Sequence, residues 1–276
     1  MYVTVKKSSF EFEGIEAGYY YADIGKGSAG RKTLLLIHGS GPGASSLGNW
    51  GRILEPLGEN FNVYALDLIG FGISNRKAEK PYFDFEMWIR QAKAMIDVIG
   101  VNEIGLIGHS ISAAIALNVA ASDSRVKAVL TTGAIGAPFK ASEATQRIWR
   151  CPKNRDELIS TLSTLIHDKS VIDNDYISAR EPVVFQEGYA EYFDEMFTGE
   201  PQQYVEKTTL SKETLSAIKC PVIMLHGRED IPFPASSSEI LAKNIRYADL
   251  QILNNCSHSV VLERNDAFMA AVKQLF

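Results

Sequence analysis

The residues Gly108-His109-Ser110-Ile111-Ser112 follow the short apolar run Ile104 to Ile107 and lead directly into the small-residue stretch Ala113 to Ala121. A strand that turns sharply into a helix at a serine lifts the hydroxyl off the sheet edge, where it can attack a carbonyl. A serine hydroxyl is a weak nucleophile near neutral pH. It needs a base beside it and a carboxylate to orient that base. His226 and His258 are the two histidines among or beyond the last apolar runs. His258 stands in the loop Asn254 to Ser259, and Asp230 follows Gly227-Arg228-Glu229 at the end of the preceding run. They are 28 residues apart (258 − 230), room for one helix around Ser236 to Ile245 and one strand. Both would then stand on adjacent strand-end loops, at the same edge as Ser110. Glu229 is the competing acid. His226 precedes the acid and reads as structural. The glycine-rich turn His38-Gly39-Ser40-Gly41-Pro42-Gly43 lacks the GK[ST] ending of a phosphate-binding loop. Its backbone amides suit an oxyanion hole instead, formed by Ser40 together with Ile111, the residue after the nucleophile.

Positioning these groups requires a sheet. Strand-like stretches span Tyr2 to Glu13 and Gly18 to Ile24. Apolar runs follow at Leu34 to Ile37, Asn62 to Leu66, Ile104 to Ile107, Val126 to Leu130, Val222 to Leu225 and Leu250 to Leu253. Phe85, Trp88, Ile89, Ala92, Met95 and Ile96 recur at helical spacing within Asp84 to Ile99. Short runs apolar on both faces, alternating with helices, indicate an α/β fold with a mostly parallel sheet covered on both sides. The stretch from Pro138 to Tyr204 carries helix-like segments (Asp156 to His167, Tyr189 to Phe197) and no strand pattern. It is expected to be a helical lid, residues 138–204, inserted in a core of residues 1–137 and 205–276. Ligands of open α/β sheets bind at the carboxyl ends of the strands, so such a lid would roof the site.

Composition narrows the class. A chain of 276 residues, 46% hydrophobic and 22% charged, has the makeup of a globular protein with a sizeable core. No apolar run reaches the roughly 18 residues of a membrane span, and the start shows no signal-like apolar segment. Three scattered cysteines without metal-like spacing favour a reducing, cytoplasmic setting. A net charge of −5 argues against a general nucleic-acid binder. No metal or organic cofactor is implied, and the expected partner is a small-molecule substrate.

The strand, serine turn and helix resemble the nucleophile elbow of the α/β-hydrolase superfamily, whose chain order of serine, acid and histidine selects Ser110, Asp230 and His258. Ser112 stands where the motif has its last glycine, at a position that must stay small because helix and strand approach closely. From about Leu34 onward the chain further resembles the meta-cleavage product hydrolases, which cleave carbon–carbon bonds in 2-hydroxy-6-oxohexa-2,4-dienoate-type compounds from aromatic ring fission. The resemblance rests on LLLIHGSGPGASSLGNW, LDLIGFGIS, HGREDIPFPASSSEILAKNI and LNNCSHSVVLERNDAF, and on Ala179-Arg180 with Gly188 and Met196-Phe197. It implies that Arg180 binds the dienoate carboxylate and that Asn49 lies near the 2-hydroxy or 2-oxo group. It also makes a homodimer plausible.

Two departures fall on the substrate region. His109 stands where the family commonly has asparagine, and Ser259 where it usually has tryptophan. Ser259 suggests an altered or larger pocket, while His109 could add a titrating group or serve as a hydrogen-bonded structural residue. The rival readings are a carboxylesterase with the same triad, a cofactor-free dioxygenase using the histidine–aspartate pair, and a ligand-binding pseudo-hydrolase.

Overall fold

The computed structural model describes residues 3–23, 30–178 and 180–276; Tyr2, Ile24 and Ala179, named in the sequence patterns above, lie outside them. Strands β1 (Thr4–Phe12) and β2 (Ile15–Asp23) form a hairpin whose two-residue turn, Glu13-Gly14, has positive φ at both positions. That turn matches the right-handed twist of the paired strands. Six further strands follow: β3 (Thr33–Ile37), β4 (Asn62–Leu66), β5 (Ile104–His109), β6 (Val126–Thr132), β7 (Val222–Gly227) and β8 (Ala248–Leu253). They form one sheet of order β1-β2-β4-β3-β5-β6-β7-β8, antiparallel at β1, β2 and β4 and parallel beyond.

The central strands β3, β5 and β7 are buried along their whole length, as expected for a sheet covered on both faces. Side chains alternate across β3. Leu34 and Leu36 pack with Trp50, Leu54 and Leu57 of α1 (Ser46–Gly58) and with Phe268 and Val272 of α13 (Asn265–Leu275). Leu35 and Ile37 belong to the opposite core, with Trp88, Ala92 and Ile96 of α2 (Phe85–Ile99) and Ile115 of α3 (Ile111–Ser122). Asp84 caps α2 by accepting the Met87 amide, and Gly100 ends it in the left-handed conformation. β8 differs from the expected doubly buried strand: it is the sheet edge, and its alternate residues are exposed.

Between β6 and β7 lie α4 (Glu143–Ile148), α5 (Arg155–Ser163), α6 (Asn174–Ser178), α7 (Glu181–Val184), α8 (Tyr189–Met196), α9 (Gln202–Thr208) and α10 (Lys212–Ala217). The described residues here contain no strand. Helix α9 runs across the expected boundary at residue 204, because Tyr204 sits mid-helix in an aromatic cluster with Trp149 and Phe197. The chain rejoins the core where Leu210 donates its amide to the Gly136 carbonyl. Helices α11 (Ser236–Asn244) and α12 (Val260–Glu263) follow β7 and β8.

Candidate active site

Ser110 joins β5 to α3 with φ 58° and ψ −123°, a backbone conformation that side chains other than glycine rarely adopt. Its surroundings hold it there. The Ser110 amide donates to the Thr132 carbonyl, and its own carbonyl accepts from Ala113 and Ile135. A Cβ on Gly108 would lie 2.3 Å from the Ser112 carbonyl oxygen, so this strand position must be glycine for the turn to close. Ser112 itself is fully buried, and its hydroxyl donates to the carbonyl of His38, which opens the glycine-rich loop. Glycine could not make this bond, which gives the departure at position 112 a physical role.

The second part of the site comes from the ends of β7 and β8. His258 Nδ1 lies 2.6 Å from Asp230 Oδ2, and Asp230 Oδ1 accepts the Phe233 amide at 3.0 Å. Burial alone would raise the Asp230 carboxyl. The charge of His258 and hydrogen bonds from His226 and His258 outweigh it and hold the group at about 2. The competing acid, Glu229, is occupied elsewhere, accepting the Cys256 amide. Among the described residues no Ser110–His258 hydrogen bond is formed; such contacts commonly tighten only when substrate binds.

The glycine-rich loop closes the third side. A Cβ on Gly39 would stand 3.1 Å from Ser110 Cβ, so the loop passes directly over the serine. Ile111 is the first residue of α3, and its amide therefore has no acceptor within the helix. The Ser40 hydroxyl accepts from Trp149 Nε1 at 3.2 Å, and the Gly43 amide donates to the Tyr189 hydroxyl at 2.7 Å. The inserted helices thus hold the loop at two points.

One cavity is lined by Ser40, Asn49, His109, Ser110, Arg180, His258 and Ser259, with Pro42, Ile148, Leu162 and Leu165 supplying apolar wall. Arg180 is 7% exposed. It stacks on Tyr176 at 3.9 Å and donates to the carbonyls of Tyr176 and Gly48. Among the described residues it has no acidic partner. His109 is buried, with Nδ1 3.0 Å from Thr132 Oγ1 and its ring 4.6 Å from that of His258. Burial and the neighbouring His258 drive its pKa well below the ordinary histidine value, so it is a neutral, hydrogen-bonded wall of the cavity. Ser259 donates its amide to Leu165 of the insertion.

Sequence reasoning missed several supports. Gly133 has φ 54°, and a Cβ there would fall 2.8 Å from His258 Nδ1, so the imidazole is backed by bare backbone. Glu263 accepts the amides of Ser257, His167 and Asp168, tying the His258 loop to the insertion. Trp149 and Glu263 carry no motif of their own; a glycine after an apolar strand was the only visible cue for Gly133.

Residues 34–271 match the Alpha/beta hydrolase family. The chain is 26% identical over 260 residues to a 2-hydroxy-6-oxo-2,4-heptadienoate hydrolase of Pseudomonas putida, covering 94% of this chain and 92% of the relative. It is 28% identical over 240 residues to a 2-hydroxymuconate semialdehyde hydrolase of Pseudomonas sp., covering 87% and 84%. Among solved structures it is similar to a variant of the meta-cleavage product hydrolase CumD, with a TM-score of 0.89 at 26% identity over 98% of this chain and 97% of the other. It is equally similar in fold to a 2-hydroxy-6-oxo-6-phenylhexa-2,4-dienoate hydrolase from Rhodococcus sp., with a TM-score of 0.89 at 25% identity over 99% of both chains.

Proposed function

The chain belongs to the alpha/beta hydrolase family, and from that premise we propose that it is a serine hydrolase cleaving the carbon–carbon bond of 2-hydroxy-6-oxohexa-2,4-dienoate-type ring-fission products. The observation that carries this reading is one cavity shared by Ser110, His258 and Arg180, which has no acidic partner among the described residues. A buried guanidinium without a carboxylate partner suits an anionic substrate head, which it can bind through paired hydrogen bonds. An ordinary ester needs no such group.

In the proposed reaction Arg180 holds the substrate carboxylate, and Asn49 faces the adjoining 2-oxygen. Proton transfer to C5 converts the dienol to a keto form with an electron sink at C2. His258, oriented by the ionised Asp230, takes the Ser110 proton as Oγ adds to the C6 carbonyl. The amides of Ser40 and Ile111 receive the oxyanion, an effect worth about 3 to 4 kcal/mol per donor. The C5–C6 bond then breaks toward the sink to give a dienolate whose C2 oxygen takes the proton held by His258, and water releases the acyl group from Ser110. One water is consumed, yielding a 2-hydroxypenta-2,4-dienoate and a carboxylic acid.

Product analysis tests the assignment. The purified protein, given 2-hydroxy-6-oxo-2,4-heptadienoate, is expected to form hydroxypentadienoate and acetate in equal amounts. Rapid release of p-nitrophenol from simple esters with the dienoate untouched would make it an esterase. Oxygen uptake with a heteroaromatic substrate would point to dioxygenase chemistry, and ligand binding without turnover to a pseudo-hydrolase.

A further inference from the structure

The acid of the proposed triad carries two imidazoles. His226, the penultimate residue of β7, is fully buried, and its Nε2 lies 3.2 Å from Asp230 Oδ2, the same oxygen that meets His258 Nδ1. The same Nε2 is 2.9 Å from the Phe233 carbonyl oxygen, and Nδ1 is 2.7 Å from the Ser238 hydroxyl. These partners fix the tautomer. A carbonyl oxygen and a carboxylate oxygen only accept, so Nε2 carries the proton. Nδ1 in turn is hydrogen-bonded to the Ser238 hydroxyl. Ser238 is fully buried at the first turn of α11, leaving its hydroxyl no water to turn to.

We infer that His226 is a positioning residue for the reaction, with Ser238 orienting it: a second imidazole that fixes the Asp230 carboxylate and through it the catalytic histidine. This inference rests on the proposed roles of Asp230 and His258. The Phe233 amide holds Oδ1, and His226 Nε2, which donates to the Phe233 carbonyl, stands 3.2 Å from Oδ2. With both oxygens engaged, the carboxylate cannot rotate away from His258 as that ring gains and loses its proton. A serine triad of three residues leaves this rotation to the acid's local turn. Here the turn from Asp230 to Phe233 and the imidazole of His226 form one closed set of bonds, because the Phe233 backbone donates to Asp230 and accepts from His226.

A purely structural histidine would support the fold and leave the chemistry alone, so the test reads both. His226→Phe, His226→Gln and Ser238→Ala are compared with the wild type and with Asp230→Asn. The readouts are kcat, KM, melting temperature and the downfield proton resonance of the His258–Asp230 hydrogen bond. A glutamine amide can reach the place of Nε2–H. The inference expects His226→Phe to lower kcat about 10- to 100-fold with KM within about twofold. His226→Gln should recover most of that loss. Ser238→Ala should fall a few-fold and shift the downfield resonance. If His226→Phe does not fold, Ser238→Ala decides, since it leaves the imidazole packed. Wild-type kcat and an unmoved resonance in Ser238→Ala would overturn the inference, as would a folded His226→Phe with wild-type kcat. Failure of the underlying reading looks different: Asp230→Asn would retain wild-type turnover whatever the His226 variants did.

Discussion

The acid and histidine of the proposed triad are close neighbours of residues whose titration bears on stability. Asp230, held at about 2, stays ionised through any ordinary assay range and cannot set the acid limb of activity. His109 is different. Its folded pKa lies well below the usual 6.5, with burial as the main cause. Below about pH 6.5 the unfolded chain binds a proton that the folded chain refuses, so stability falls as pH drops, by up to about 1.4 kcal/mol per pH unit. Denaturant titrations at pH 7.5 and 5.5 should show His109→Asn losing about 1 kcal/mol less than the wild type over that interval. Equal losses would mean that His109 is protonated in the fold. At this scale chain order and loop position picked out Asp230 and His258, which the structure joins by a hydrogen bond. The contact of His226 with Asp230 was not legible. Four residues apart at a strand end, the two groups could face each other only through the turn at Phe233, whose path no residue pattern reveals.

The segments between β6 and β7 line part of the cavity. They hold the glycine-rich loop through Trp149 and Tyr189, and they meet the His258 loop through Leu165, His167 and Asp168. Trp149 stacks in parallel on Phe197 at 5.5 Å, which fixes the direction of its N–H toward Ser40. Trp149→Phe keeps the ring packing and removes that donor. It is expected to lower kcat by about 3- to 10-fold, in line with one neutral hydrogen bond of about 1 kcal/mol, with little change in melting temperature. An unchanged kcat would show that the loop holds its shape without the insertion. The doubly buried strands β3 and β5 were legible because burial on both faces demands unbroken apolar runs. Helix α1 was not: Gly48, Gly51 and Pro56 interrupt its helical pattern, and its stability comes from Trp50, Leu54 and Leu57 packed on the sheet.

For the whole molecule, the fold and the family are those that the elbow, the sheet pattern and the order of motifs announced. Substrate identity rests on the cavity, where residues distant in sequence converge: Asn49 from α1, His109 at the end of β5, Arg180 ahead of α7 and Ser259 ahead of α12. Their convergence is a property of the folded chain, so their separate motifs carried it only through resemblance. The most direct measurement follows the visible absorbance of 2-hydroxy-6-oxohexa-2,4-dienoates with alkyl and aryl 6-substituents, using wild type and Ser110→Ala. The account predicts rapid bleaching by the wild type and a loss of at least about a thousandfold in kcat for the variant, as expected for removal of a triad nucleophile. Bleaching by Ser110→Ala at the wild-type rate, or no bleaching of any dienoate by the wild type, would contradict it.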